Sequence, residues 1–507
     1  MKFSLYLLVA ISTIWYSGCA RAPLSGENQA PTILNLRIEA EEATPGSALL
    51  LRADISDPDG DSLQVSWECN LGQMLSSYQD SARWASPDSS VVARVVVRAV
   101  DPEGLESADT LRFWVHNQVP VITLLSASSR TVLNGNTITL SAAAMDPDSH
   151  AVSFSWDTPW GSLDHAYGSS VRWTVPDSTM HAWVELVATD EYGAQSRDTL
   201  DVTVYTEVGC AWVLNQGAQQ IVKLSAIGDE LLRLNGFQDL QDVDVDPENR
   251  RLWVCEGYPA ALHCFDLIGT PLFTRTEGLA RPTRLRSWQR TGSVMVLDAD
   301  TAQVVEISLY GDRELRRIGG LTRPNALDVN QRTGAVWICD EGSNQLFHVN
   351  DGWEGSISDV RSSPHVQARD GYLFPVDVSV EDSTGACWLV DKEAGTLVRY
   401  EDDGLDSLVV TGLENPVAVS ATWSEGLCWV LDRGLDSRAL RYFFDQEQVA
   451  VEGLLFPKDL AYNRIDSHVW VLDTERNRVL RLRPDGSVAG AWTDFNFPTR
   501  IVINGGS

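Results

Sequence analysis

Asp242, Arg284, Asp377, Asp459 and Arg500 stand at equivalent places in a repeat, each just inside a short apolar run that begins at a proline or its equivalent. Ala326 and Ala418 fill the two remaining places, and successive members lie 41 to 51 residues apart. Carboxylates and guanidinium groups brought together this way can pair with one another, or can bind a polar ligand and move protons on it. A second group is purely acidic: Asp57, Asp59 and Asp61, with Asp101 further along. Hard oxygen ligands at this density are what calcium takes. A later copy keeps only Asp146 and Asp148, with His150 in the third place. Asp-Pro-Asp-Gly is also an ordinary turn sequence. The third group lies in an insertion near residues 350–373 and contains Trp353, His365 and Arg369. Long loops are frequent binding or lid elements.

Other chemistry is absent from the pattern. There is no Gly-x-Ser-x-Gly elbow, no His-Glu-x-x-His helix and no phosphate-binding glycine loop. Histidine is scarce after residue 207: His263, His348, His365 and His468, none of them in the charged row. No cofactor is expected, with calcium at the acidic loops as the alternative. The net charge is -31, with 39 Lys and Arg against 70 Asp and Glu, and no basic stripe. Nucleic acid would be repelled.

The charged row needs a frame, and a repeated phrase supplies one. It reads Trp212-Val-Leu-Asn215, Trp253-Val-Cys-Glu256, Met295-Val-Leu-Asp298, Trp337-Ile-Cys-Asp340, Trp388-Leu-Val-Asp391, Trp429-Val-Leu-Asp432 and Trp470-Val-Leu-Asp473. A period near 40 with a β-rich phrase in each unit predicts a β-propeller. Each unit has a short strand before the phrase and two after it, which makes four strands per blade. The first phrase has no strand before it in its own unit; the last is followed by a spare one, Pro498-Thr-Arg-Ile-Val-Ile503. Closure of the first blade by that strand predicts seven blades over 208–507 and pairs both edges that would otherwise lie open. The recurrent Trp residues are expected to pack between blades. The acids ending each phrase are expected to accept N–H groups of the following turn. The charged row is then expected to ring the channel mouth, and function to sit where the repeats differ.

A second repeat lies upstream. Adding 89 carries Pro31 to Pro120, Asp57 to Asp146, Trp67 to Trp156, Gly72 to Gly161, Trp84 to Trp173 and Asp101 to Asp190 without a gap. Short alternating strands in units of this size predict two β-sandwiches, at 31–117 and 118–206. Before them, residues 20–30 read as a tether. At the start, Lys2 precedes a mostly apolar run from Phe3 to Trp15, too short to span a bilayer and suited to a signal peptide. Seven cysteines follow Cys19, without a Cys-x-x-Cys pattern, and read as small buried residues; Cys255 and Cys264 have an offset unsuited to a disulfide.

Several of these stretches resemble known families. Tyr16-Ser17-Gly18-Cys19 resembles the lipobox of bacterial lipoproteins, which implies a signal peptide over 1–19 and lipidation at Cys19; Tyr16 departs from the usual Leu. Ala20, rather than Asp, implies sorting to the outer membrane. Asp57-Pro-Asp-Gly-Asp-Ser-Leu-Gln-Val-Ser-Trp67 and Ala99-Val-Asp-Pro-Glu-Gly104 resemble PKD and related Ig-like modules. Pro324-Asn-Ala-Leu-Asp-Val and Asp473-Thr-Glu-Arg-Asn477-Arg-Val resemble NHL repeats, and the seven phrases are similar to streptogramin lyase repeats. Such lyases use histidine with an acid near the channel, and the charged row here has no histidine. The ligand acids of gluconolactonase-type propellers have no residue-by-residue counterpart.

The expectation is therefore an all-β chain: two tandem Ig-like β-sandwiches, then a seven-bladed β-propeller closed by the C-terminal strand. Its expected role is that of a lipid-anchored envelope protein, held to the membrane by its lipid and presenting the propeller to a protein, peptide or glycan. Two alternatives stand beside it: a lyase or lactonase acting at the channel mouth, and a calcium-stiffened adhesion module.

Overall fold

The computed structural model describes residues 28–505 apart from 41, 351, 354, 402–406 and 423. The signal-peptide stretch, Cys19 and most of the tether lie outside the described residues. The described chain is all-β, with eleven small sheets and two single-turn 3-10 helices.

The first two units each build two sheets around one core. In the first, Thr32–Ile38, Ala48–Ser56, Ser81–Ala85 and Gln73–Ser77 face Gln64–Cys69, Val91–Val100 and Glu106–Val115. Trp67 and Trp84 lie between them with Leu51, Val95 and Val97. Trp156 and Trp173 do the same in the second. The recurrent glycine has a steric cause. Gly72 and Gly161 have φ of +74° and +67°, and an added Cβ would lie 2.2 Å from Ala85 O or 2.1 Å from Thr174 O. Only glycine fits such a left-handed close approach.

The remaining seven sheets each contain four antiparallel strands in order. The first is completed from the far end of the chain: Pro498–Ile503 pairs with Ala211–Asn215. Innermost strands adjoin one another around a closed ring, from Leu240–Asp246 through Pro282–Trp288 and onward to Pro498–Ile503, which adjoins Leu240–Asp246 again. This is the closure expected of a propeller, and it pairs the edges that would otherwise template aggregation.

The repeated phrase is the second strand of each sheet. It is buried along its whole length, as in Val336–Asp340 and Cys387–Asp391. Both faces are covered, so the phrase is continuously apolar rather than alternating. The tryptophans pack forward onto the next sheet. Trp212 joins Leu240, Val243 and Leu252, and Trp470 joins Val213 and Val222 across the closure.

The acids that end the phrases correct one expectation. Their donors lie mainly upstream, in the loop leading into the innermost strand of the same sheet. Asp298 accepts from Ala280 N at 2.7 Å and Arg281 N at 2.9 Å, Asp340 from Thr322 N at 2.8 Å, and Asp391 from Phe374 N at 2.9 Å. The following turn adds a weaker contact in places, as from Ala394 N to Asp391 at 3.1 Å. A carboxylate beside two adjacent N–H groups is a strong acceptor, and in some copies a side chain after the phrase joins them, as Arg478 Nε does at 2.6 Å from Asp473.

Seven cysteines are free among the described residues. Cys255 lies opposite Leu262 and Cys264 opposite Trp253, so the two sulfurs do not face each other.

One buried histidine makes folding pH-dependent. His348 stacks on Trp337 with ring centroids 3.9 Å apart, and neither ring nitrogen has a partner among the described residues. Burial, aided by Arg369, lowers its pKa from 6.5 to about 4. Between these values the unfolded chain takes up the proton and the folded chain does not. Stability is therefore full above pH 6.5 and falls as the pH drops towards 4. The loss is on the order of 3 kcal/mol, at about 1.4 kcal/mol per pKa unit. Urea midpoints of the His348→Phe variant, measured across this range, should be flatter than those of the parent; equal slopes would count against the assignment.

Candidate functional site

Innermost strands pose a hydrogen-bonding problem. Their outward N–H groups face the channel, with no further strand to accept from them. The chain solves this with side chains of the preceding sheet. Asp242 accepts from Leu285 N at 2.9 Å, Asp377 from Val419 N at 3.0 Å and Asp459 from Ile501 N at 2.9 Å. A second row does the same two residues further on. Asp244 accepts from Ser287 N at 2.7 Å, Asp328 from Val380 N at 2.8 Å, Ser379 from Ala421 N at 3.0 Å and Ser420 from Tyr462 N at 3.2 Å. These contacts tie each sheet to the next at its inner edge.

Arginines fill the space between the acids. Arg500 lies 3.5 Å from both Asp242 and Asp459. Arg286 lies 3.5 Å from Asp242 and 3.6 Å from Asp328. Arg286, Asp244, Asp328, Ser379 and Ser420 were not among the residues singled out from the sequence. The signal was available: strand period puts residues two apart on one face.

Arg284 and Asp377 behave differently. Neither forms an ion pair among the described residues. Arg284 donates from Nη1 to Thr283 O, while its Nε is buried without a partner. Burial, then repulsion from Arg500, lowers its pKa to about 10. Burial raises the Asp377 carboxyl to about 6, against the opposing pull of Arg500.

Above this layer the channel widens into a polar funnel of about 380 Å³, with Arg284, Asp377 and Arg500 at its floor. Two further rings form its wall. One is the residue after each strand-initiating proline, including Asn325 and Lys458; the other follows the phrase acids, as Gln216, Lys392 and Arg433. Below the ion-paired layer lies a separate space of about 180 Å³, bordered by Asp244, Arg286 and Asp328. Asp377 borders both.

The expected loop site of Trp353, His365 and Arg369 does not assemble. Trp353 is buried in the core of the ring, and the Arg316 guanidinium lies 4.1 Å from its ring centre. Ile357 bridges Ile318, so the insertion runs as an added edge along the third four-stranded sheet. Arg369 belongs to the strand Val366–Arg369 and lies over Trp337 and Tyr400 at 5.4 and 4.8 Å. His365 is exposed apart from both. The extra apolar surface of a large ring is covered by its own insertion, which removes the aromatic from solvent.

In the sandwiches, the acidic loops hold the linkers. Asn28 donates to Asp101 at 2.6 Å, and Gln29 N to Asp59 at 2.7 Å. Asn117 and Gln118 repeat both contacts on Asp190 and Asp148, each at 2.7 Å. Asp57 Oδ1 accepts from Asp59 N at 2.8 Å and Asp61 N at 3.3 Å. Some oxygens remain unused: Asp57 Oδ2, Asp146 Oδ2 and Asn117 Oδ1 are buried without partners among the described residues. Ligand atoms of Asp146, His150 and Asp190 lie within 4.8 Å of one another.

No protein-family model matches the chain, and no curated protein does. Solved structures do. A protein of unknown function from Desulfotomaculum acetoxidans is 10% identical, with a TM-score of 0.50, over 58% of this chain and 98% of that one. Virginiamycin B lyase from Staphylococcus aureus, as an inactive variant with quinupristin, is 13% identical with a TM-score of 0.40, over 49% and 83%. A chain from a nidogen–laminin complex gives 12% and 0.37 over 48% and 92%. At these identities the likeness is one of fold alone: a distant relationship to all-β architecture of this type.

Proposed function

We propose that this chain is a binding protein of the bacterial cell envelope, anchored through a lipid on Cys19. Two Ig-like modules of PKD type carry a seven-bladed propeller of NHL type, and the propeller presents its mouth to a partner. The observation that supports this best is the channel. Its middle is closed by ion pairs and hydrogen-bonded acids, whereas the funnel above stays open. No helix among the described residues is long and apolar enough to cross a membrane, and a lipid anchor needs none. The test is site-specific photo-crosslinking in membranes of the source cell. A probe at Leu435, which is 98% exposed near the mouth loops, should capture a partner, and one at Ile268 should not. Equal capture from both would overturn the reading.

Catalysis at the same mouth is the second reading, and Asp377 favours it. A carboxyl with no ion pair and a pKa of about 6 suits a general acid or base near neutral pH. Turnover of the bound partner that is lost in Asp377→Asn with binding intact would move the assignment to an enzyme.

The unused oxygens favour a divalent cation in the modules. Such an ion stabilises by mass action, about 2.7 kcal/mol at a hundredfold excess over Kd. EDTA should lower the Tm of the modules by several degrees, and Asp146→Asn should remove the second module's share. No shift with EDTA, and none on adding calcium or zinc, would eliminate the site.

A further inference from the structure

The funnel has the opposite charge to the rest of the chain. Against a net charge of -31, five cations line it: Arg284, Lys392, Arg433, Lys458 and Arg500. The lining acids are Asp377 and Glu341. Glu341 is already engaged by Arg323 and Asn325. Arg500 is neutralised by Asp242 and Asp459 below it. Lys392, Arg433 and Lys458 form no ion pair among the described residues.

Those three heads rest on aromatic rings instead. Lys392 lies 5.6 Å from the Phe374 ring centre, Arg433 4.2 Å from Phe456, and Lys458 5.2 Å from Phe456 and 5.7 Å from Phe497. Cation–π contacts of this kind hold a cation in place without neutralising it. Phe456 and Phe497 have φ of 52° and 53°. A left-handed backbone is unfavourable for such residues, so local strain is accepted where the rings meet the cations. Arg433 Nε and Nη1 are buried with no acceptor among the described residues. Burial lowers the pKa of Arg433; burial, then Arg433, Arg500 and Arg284, lowers that of Lys458. An unpartnered buried N–H is unfavourable, and an oxyanion seated there would satisfy it.

The rest of the wall defines the body of the ligand. Gln216, Gln241, Asn325 and Thr499 present amides and a hydroxyl. Such groups donate to and accept from hydroxyls. A volume near 380 Å³ lies in the range of small-ligand pockets.

We propose that the funnel binds an acidic sugar: a hydroxylated ring bearing one carboxylate or phosphate, with the oxyanion on Arg433 and Lys458 and the hydroxyls on the amide wall. This rests on the binding reading of the mouth and names its ligand class. The test titrates the full chain with glucuronate, glucose 6-phosphate and glucose by calorimetry. At least one anion should bind in the millimolar range or tighter, and glucose should not. Preference between the anions tells a carboxylate site from a phosphate site. Arg433→Gln should weaken binding about tenfold, by loss of a charge-assisted fork. Lys458→Gln provides the same test should Arg433→Gln fold poorly, and added salt should weaken the interaction. Binding of glucose as tight as that of the anions, anion binding unchanged in both variants, or no anion binding would each overturn the proposal. A partner still cross-linked at the mouth after such a result would leave the broader binding reading standing.

Discussion

Glu381→Ala should destabilise the ring by about 3–5 kcal/mol, the cost of leaving a buried charge without its partner. Glu381 is wholly buried and Arg399 is 3% exposed. The pair is bidentate, with Nε to Oε1 and Nη2 to Oε2 both at 2.9 Å. Oε1 also accepts from Trp388 Nε1 at 2.6 Å and from Gly426 N at 3.0 Å on the next sheet. Thr384 Oγ1 donates to Oε2 at 2.8 Å. One carboxylate thus satisfies a guanidinium, an indole, a hydroxyl and a backbone N–H. Alanine would strand all four. The Glu401 partner of Arg399 is half exposed and cannot replace the lost contacts. Glu381→Leu combined with Arg399→Met should recover much of the loss, because a matched apolar pair has no unpaired charge. Urea unfolding followed by tryptophan fluorescence reads both. A loss below about 1 kcal/mol in Glu381→Ala would show that water reaches the guanidinium and that this centre does not join the two sheets.

A chain ending before Pro498 should lose the closed ring altogether. The terminal strand supplies the inner partner of Ala211–Asn215. It also supplies Ile501, which is 3% exposed, and Arg500, which lies 3.5 Å from Asp242 and from Asp459. Its removal opens two edges, leaves Asp459 without its N–H donor and its cation, and uncovers one side of Val213. The loss is expected to be comparable with the whole stability of a domain, about 5–15 kcal/mol. The truncated chain should show no cooperative transition in its last 300 residues, aggregate through its open edges, and be cut first between residues 208 and 234. A melting temperature within a few degrees of the parent would mean that the ring closes without this strand.

Much of the architecture was legible because repetition repeats its physical cause. A phrase buried on both faces must be apolar in every copy, so the seven phrases announced seven sheets. The unpaired first phrase and the spare last strand announced the closure. The 89-residue offset worked likewise, since Trp67 and Trp84 have the same cavities to fill as Trp156 and Trp173. Local turn chemistry was less legible. The acids ending the phrases recur for a hydrogen-bonding reason, but their donors lie 17 or 18 residues upstream, a distance no turn rule covers.

By itself, then, the amino-acid order determined the elements, their number and the face on which each side chain of the charged row would stand. Those properties follow from periods of 2 and of about 40 residues, which are local or self-similar. Tertiary structure alone decided which charges cancel. Arg286 rather than Arg284 pairs with Asp242, because two residues along the strand changes depth in the channel and brings different neighbours within Coulombic reach. It alone took Trp353 into the core, and gathered Lys392, Arg433 and Lys458 around one funnel from three separate repeats. Charges scattered over 67 residues of an acidic sequence look like ordinary surface until ring closure sets them side by side.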